Sequence, residues 1–180
     1  MSMAKHVYFT RHGQTIWNVE NKICGSTDIA LTPLGHEQAE ECGRKILEAG
    51  YPISEILYSP LCRAADTAKH IARITGLPLH PEERLREQCY GRFESTPRDG
   101  AAFREAKTHF IDSYGDGESM LRVAQRVYSL LDELKQDDRT FLLVAHNGIA
   151  RVVRSYFYDM DHKAYADFGI RNCEILDFTF

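Results

Sequence analysis

The sequence predicts an α/β fold, a three-layer α/β/α sandwich around a largely parallel central sheet. Short apolar runs alternate with stretches of helical periodicity, the pattern that builds parallel sheets through crossover helices. Phe141–Ala145 is apolar at every position, as expected of a central strand covered on both faces. Cap and stop residues bracket the helical stretches.

Residues 7–10 read as the first strand and residues 53–58 as the second. Between them, Thr32 and Pro33 supply a cap and a first-turn proline for a helix. Its apolar face is expected at Leu34, Cys42, Ile46 and Ala49, and Gly50 is its stop. Ser59 and Pro60 repeat the cap-plus-proline signal for a helix carrying Leu61, Ala64, Ala68, Ile71 and Thr75, ended by Gly76. A third helix is expected over about residues 118–135, with Met120, Val123, Val127, Leu130, Leu131 and Leu134 on one face. After Phe141–Ala145, His146-Asn147-Gly148 turns the chain into a helix bearing Ile149, Val152, Val153, Tyr156 and Phe157. The final residues 173–180 alternate like a closing strand. Residues 82–117 are less regular and read as a cap-like insertion within one domain spanning 1–180.

A chain of 180 residues can be served by a single core. The composition, 43% hydrophobic and 27% charged, is that of a soluble globular protein. Net charge −4, with Lys and Arg scattered, argues against nucleic acid as a partner. No run is apolar enough for a membrane span, and the start has no signal-peptide core, so a cytoplasmic protein is expected. The five cysteines are odd in number and include no C-x-x-C pair, which argues against a disulfide framework or a structural zinc site. Any anion must be attracted by a local cluster against the global charge.

Such a cluster is predicted. Ligands of α/β folds bind outside the carboxyl ends of the strands, and three of the expected strands run into Arg11-His12, Ser59 to Arg63, and His146-Asn147. As parallel neighbours they would bring two guanidiniums and two imidazoles to one edge, a site for a dianionic oxyanion. Arginine suits phosphate because its planar fork stays charged and donates paired hydrogen bonds. A neutral histidine there can attack phosphorus, and the arginines can stabilise the equatorial oxygens. A leaving alkoxide needs a proton, so a carboxylic acid is expected nearby. Gly13 is expected to let the backbone turn close to the anion.

The segments "RHGQTIWN", "YSPLCRAADTA", "REQCYGRFE", "GDGESM" and "VAHNG" occur in this order. The chain thereby resembles the histidine phosphatase superfamily, also called phosphoglycerate-mutase-like, from about residue 5 to residue 150. The resemblance implies that His12 becomes phosphorylated, that Arg11 and Arg63 bind phosphate, and that His146 completes the phosphate pocket. It assigns proton donation to Glu87 and a phosphate contact to Asn18, and it implies chemistry without a metal or other cofactor. In the family a glycine commonly follows the second histidine; here Asn147 intervenes before Gly148, and Asn tolerates turn conformations well. Asn147 is therefore also counted among the substrate-binding candidates.

Two activities share this chemistry: a phosphatase acting on small-molecule phosphate esters, and a phosphoglycerate-type mutase. Family mutases resemble longer chains. Here only about 30 residues separate Glu87 from Glu118, and 34 follow His146, which favours the phosphatase. A phosphate-reading module without turnover is the third reading, opposed by the joint presence of His12 and Glu87. Arg92, Arg98, Arg104, Lys107 and His109 are candidates to meet a second anionic group. The aromatics Tyr90, Phe93, Phe103, Phe110 and Tyr114 are expected to form the cap's own core. The other histidines are read as surface or structural residues, and "HEQAE" at His36 lacks the second histidine of a zinc protease motif.

Overall fold

A computed structural model describes residues 4–180. The chain runs through β1 (His6–Arg11), a single helical turn α1 (Ile16–Val19), α2 (Pro33–Ala49), β2 (Glu55–Tyr58), α3 (Cys62–Thr75) and β3 (Leu79–Pro81). It continues through α4 (Ala101–Ala106), α5 (Met120–Gln136), β4 (Phe141–Ala145), α6 (Asn147–Phe157), α7 (His162–Asp167) and β5 (Ile175–Thr179). The five strands form one sheet in the order β3-β2-β4-β1-β5, parallel except for β5, which runs antiparallel to β1.

The period of two along the strands divides the core between two faces. Val7 and Phe9 of β1, with Phe141, Leu143 and Ala145 of β4, pack beneath α5 and α6. Tyr8, Leu142 and Val144 point the other way, against Cys42 and Ile46 of α2 and Ala64, Ala68 and Ile71 of α3. The three-layer sandwich follows directly. A third, smaller cluster lies in the 82–117 stretch, where Tyr90, Phe103, Ala106 and Tyr114, with Phe93 against them, close over Ile23. Phe110 is the exception among the aromatics expected there: it packs on the main core beside Tyr165.

Helix boundaries follow the caps. Thr32 accepts from the Gly35 amide, Pro33 opens α2, and Gly50 closes it in the left-handed conformation; Gly76 closes α3 in the same way. Two local expectations are corrected. Leu34 and Ala49 are exposed, and α2 instead buries Gly35, Ala39, Cys42, Gly43 and Ile46, because α3 approaches along the small residues. Ser59 does not cap α3, which starts after Leu61 without a side-chain cap; the Ser59 hydroxyl faces His146 instead, at 2.7 Å. Gly13 also has a packing role. Its amide donates to Thr67 Oγ1 at 3.0 Å, and a Cβ there would overlap the Gly35 carbonyl in the first turn of α2. The close backbone approach at Gly13 is thus to a helix.

Candidate active site

Parallel register decides what meets at the sheet edge. Arg11 pairs with Ala145, and Tyr58 with Val144, so the next residues of three strands emerge side by side. The His12 amide donates to the Ala145 carbonyl at 3.0 Å, and the Ser59 amide to the Val144 carbonyl at 3.0 Å. The His12 and His146 rings lie 5.2 Å apart, and both are buried. Arg63 comes from the first turn of α3, wholly buried, its two terminal nitrogens donating to Gly25 O (2.7 Å) and Thr27 O (2.9 Å). Arg11 is fixed by one bond to Ile170 O at 2.9 Å.

His12 Nδ1 lies 2.7 Å from the Gly13 carbonyl, which can only accept, so the proton sits on Nδ1 and the Nε2 lone pair is free. Burial, then Arg63 and Arg11, hold the ring well below the ordinary imidazole value, and the ring is neutral at pH 7. His146 is held down by burial first, then by Arg63, His12 and Arg11. Among the described residues, three buried side-chain nitrogens have no hydrogen-bond partner: Arg11 Nε, Arg63 Nε and His146 Nδ1. Buried donors are rarely left unpaired. All three belong to this quartet, an arrangement that can donate to an oxyanion.

Glu87 reaches the site from the 82–117 stretch. Its buried carboxylate accepts from the Gln88 amide (2.9 Å) and from the Gly148 amide at the start of α6 (3.0 Å). A Cβ at residue 148 would overlap Glu87 Oε1, so glycine is the residue that admits this carboxylate. Asn18 Oδ1 closes the capping box of α1 by accepting from the Thr15 amide, and it also accepts from Asn172 Nδ2, whose second partner is the His12 carbonyl. Asn147 Oδ1 accepts from the Ile170 amide at 2.9 Å, tying α6 to the segment that holds Arg11.

A cavity of about 290 Å³ opens over the quartet. Arg11, His12, Asn18, Glu87 and Asn147 line it; Arg63 and His146, fully buried, are not among its lining residues. Of the five cap cations considered in the sequence, Arg98, Arg104 and Lys107 line the cavity, while Arg92 and His109 do not; Arg92 faces Asp112 at 3.7 Å. Sequence reading missed Arg151, which also lines it. Its position on α6, one turn past Asn147, was the available signal. It also missed Ser59 as the partner of His146. Among the described residues, no cluster of His, Cys, Asp or Glu is arranged to hold a metal ion, and no helix is long and apolar enough to cross a membrane.

Comparison with known proteins agrees with this geometry. The family model for the histidine phosphatase superfamily (branch 1) matches residues 7–180. A probable phosphoglycerate mutase GpmB from Erwinia tasmaniensis is 32% identical over 179 residues, spanning 94% of this chain and 82% of the relative. Among solved structures, a mycobacterial hydrolase superposes with a TM-score of 0.86 at 27% identity, covering 98% of this chain and 92% of that one. A mycobacterial glucosyl-3-phosphoglycerate phosphatase, solved with VO3, superposes with a TM-score of 0.83 at 29% identity, covering 97% and 90%. The fold, the order of the motifs and the matched span together make this chain a member of the histidine phosphatase superfamily, branch 1.

Proposed function

We propose that this protein is a cofactor-independent phosphatase that hydrolyses small-molecule phosphate monoesters through a phosphohistidine on His12. The observation that carries the reading is the set of unpartnered nitrogens on Arg11, Arg63 and His146 beside an imidazole whose Nε2 lone pair is free. In the first step His12 Nε2 bonds to phosphorus and the ester P–O bond breaks. Glu87, as the carboxylic acid, gives its proton to the leaving alkoxide. Arg11, Arg63 and His146 stabilise the equatorial oxygens, and the Gly13 carbonyl stabilises the charge that the phosphorylated ring acquires. In the second step the Glu87 carboxylate takes a proton from water, the water oxygen attacks phosphorus and the P–N bond breaks. Inorganic phosphate leaves and Glu87 is again the acid.

A phosphomutase would share every residue and differ only in returning the phosphoryl group to bound product. The curated relative named as a probable phosphoglycerate mutase supports that second reading. Against it stands the short cover: the stretch between Glu87 and Glu118 contributes a short 3-10 turn at Gly91–Phe93 and one six-residue α-helix, α4, and so small a cover favours access of water to the phosphoenzyme. The test is phosphate release from an aryl phosphate, with and without chelator. His12→Ala should lower the rate by at least about 10³-fold, as loss of a nucleophile does, and the acid-labile phosphoenzyme should vanish with it. An unchanged rate in His12→Ala would remove the nucleophile assignment. Loss of activity with chelator would remove cofactor independence, and phosphoryl exchange between esters without release would favour the mutase.

A further inference from the structure

The five cysteines are free thiols, and two of them share a place that the proposed phosphoryl chemistry does not use. Cys42, buried in the middle of α2, packs with Cys173, half-buried in the turn before β5. Consecutive residues of β1 fix the pair. Thr10 Oγ1 lies 3.8 Å from Cys42 Sγ, and the Cys173 amide donates to the Arg11 carbonyl at 2.9 Å. Both cysteines line one surface pocket with Leu34, Gln38, Lys45 and Asn172, so a small solute reaches them together. Hydrogen bonding to Cys173 is the first cause that draws the Cys42 thiol below its ordinary value, and the same bond keeps the proton on Cys173. Burial instead pushes the thiols of Cys24 and Cys62 up to about 11.

Residues 170–173 also clamp the candidate active site from behind. Arg11 Nη1 donates to Ile170 O at 2.9 Å, and Asn172 Nδ2 donates to the His12 carbonyl at 2.8 Å. Cys173 itself has φ +58°, a left-handed conformation that residues with a Cβ seldom adopt. The other partner is set in a stiffer element. At Gly43, beside Cys42, a Cβ would lie 3.1 Å from the Ile74 side chain, so α2 and α3 are packed too closely to slide. An S–S bond is about 2 Å long, shorter than any non-bonded contact between sulfurs. Closing one here therefore draws the 170–173 turn toward α2 rather than the reverse.

We propose that Cys42 and Cys173 are a redox modification site: hydrogen peroxide joins them in a reversible disulfide, which displaces the turn holding Arg11 and His12 and slows phosphoryl transfer. In the first step the Cys42 thiolate attacks a peroxide oxygen, the S–O bond forms and the O–O bond breaks. The departing hydroxide takes up the proton that Cys42 released and leaves as water. Cys173 sulfur then attacks Cys42 sulfur, the S–S bond forms, and the S–O bond breaks. That hydroxyl leaves as water with the Cys173 proton. Two thiols and one peroxide thus give one disulfide and two waters, and an external dithiol reverses the bond by exchange. Formation of the disulfide is independent of the phosphatase reading; its effect on turnover rests on that reading.

The test treats the purified full chain with hydrogen peroxide, alkylates the remaining thiols under denaturing conditions and maps the peptides by mass. The peptides of Cys42 and Cys173 should appear as one linked species, with Cys24, Cys62 and Cys89 alkylated. Phosphate release from an aryl phosphate should fall by about 10-fold or more in the linked form, as expected when catalytic groups are misplaced by up to about 1 Å. Dithiothreitol should restore it. Cys42→Ala and Cys173→Ser, with folding checked by melting curves, should show neither the link nor the reversible loss. Absence of the link in the wild type, or a link that leaves turnover unchanged, would overturn the proposal. So would the same reversible loss in either variant that folds. Should the reduced protein release phosphate from no ester, the phosphatase reading fails alone, and the rise in melting temperature given by inorganic phosphate becomes the readout. That rise should shrink on linking and return with dithiothreitol; a rise indifferent to the link overturns the proposal.

Discussion

Gly148→Ala separates the proton-transfer role proposed for Glu87 from phosphate binding. The added Cβ would overlap Glu87 Oε1 and lie 2.8 Å from the Tyr90 hydroxyl. Tyr90 is buried against Phe103 and Tyr114 and cannot retreat, whereas the carboxylate is the far end of a flexible side chain. The carboxylate therefore gives way and loses its bond from the Gly148 amide. A charged hydrogen bond of this kind contributes about 1.5–3 kcal/mol, which corresponds to roughly 10- to 150-fold in a rate that needs the group in place. Stability should fall by about 1.5–3 kcal/mol, the contribution of the lost bond, with the methyl itself accommodated by the displaced carboxylate. The assay compares an alkyl phosphate with 4-nitrophenyl phosphate, whose leaving group needs little protonation. The alkyl ester should lose most of that factor and the aryl ester much less. Equal losses on both esters would refute the placement of Glu87 as the leaving-group acid, and loss of the fold would refute the claim that the carboxylate yields.

Two further outcomes are expected. His12 and His146 are held neutral in the fold, below the ordinary imidazole value of 6.5, so the unfolded chain takes up protons first as pH falls. Stability should be level above pH 6.5 and decline below it, by roughly 1–1.5 kcal/mol for each histidine at one pH unit lower; denaturant midpoints at pH 7.5, 6.5 and 5.5 measure this, and a flat profile would contradict neutral rings. Inorganic phosphate should raise the melting temperature, adding about 2.7 kcal/mol at 100 times its Kd. Arg63→Met should abolish that increment whatever its effect on the unliganded midpoint, and an increment that survives the substitution would place the anion elsewhere.

The sequence by itself determined the layers and the edge. Alternation within β1 and β4 assigns successive side chains to opposite faces, and a parallel sheet presents its carboxyl ends together, so Arg11, His12 and His146 converge for reasons local to each strand. Thr32, Pro33, Gly50 and Gly76 act within one turn of chain, and their caps were legible for the same reason. Tertiary structure decided the features that depend on what packs opposite. Whether Leu34 is buried depends on where α3 lies, and whether Ser59 caps a helix or faces His146 depends on the register of β2 against β4. Gly148 and Glu87 meet across 61 residues, and Arg151 enters the cavity only because α6 turns that face toward the 82–117 stretch. Periodicity places a residue on a face of its own element; only the neighbour brought there by the fold decides what that face meets.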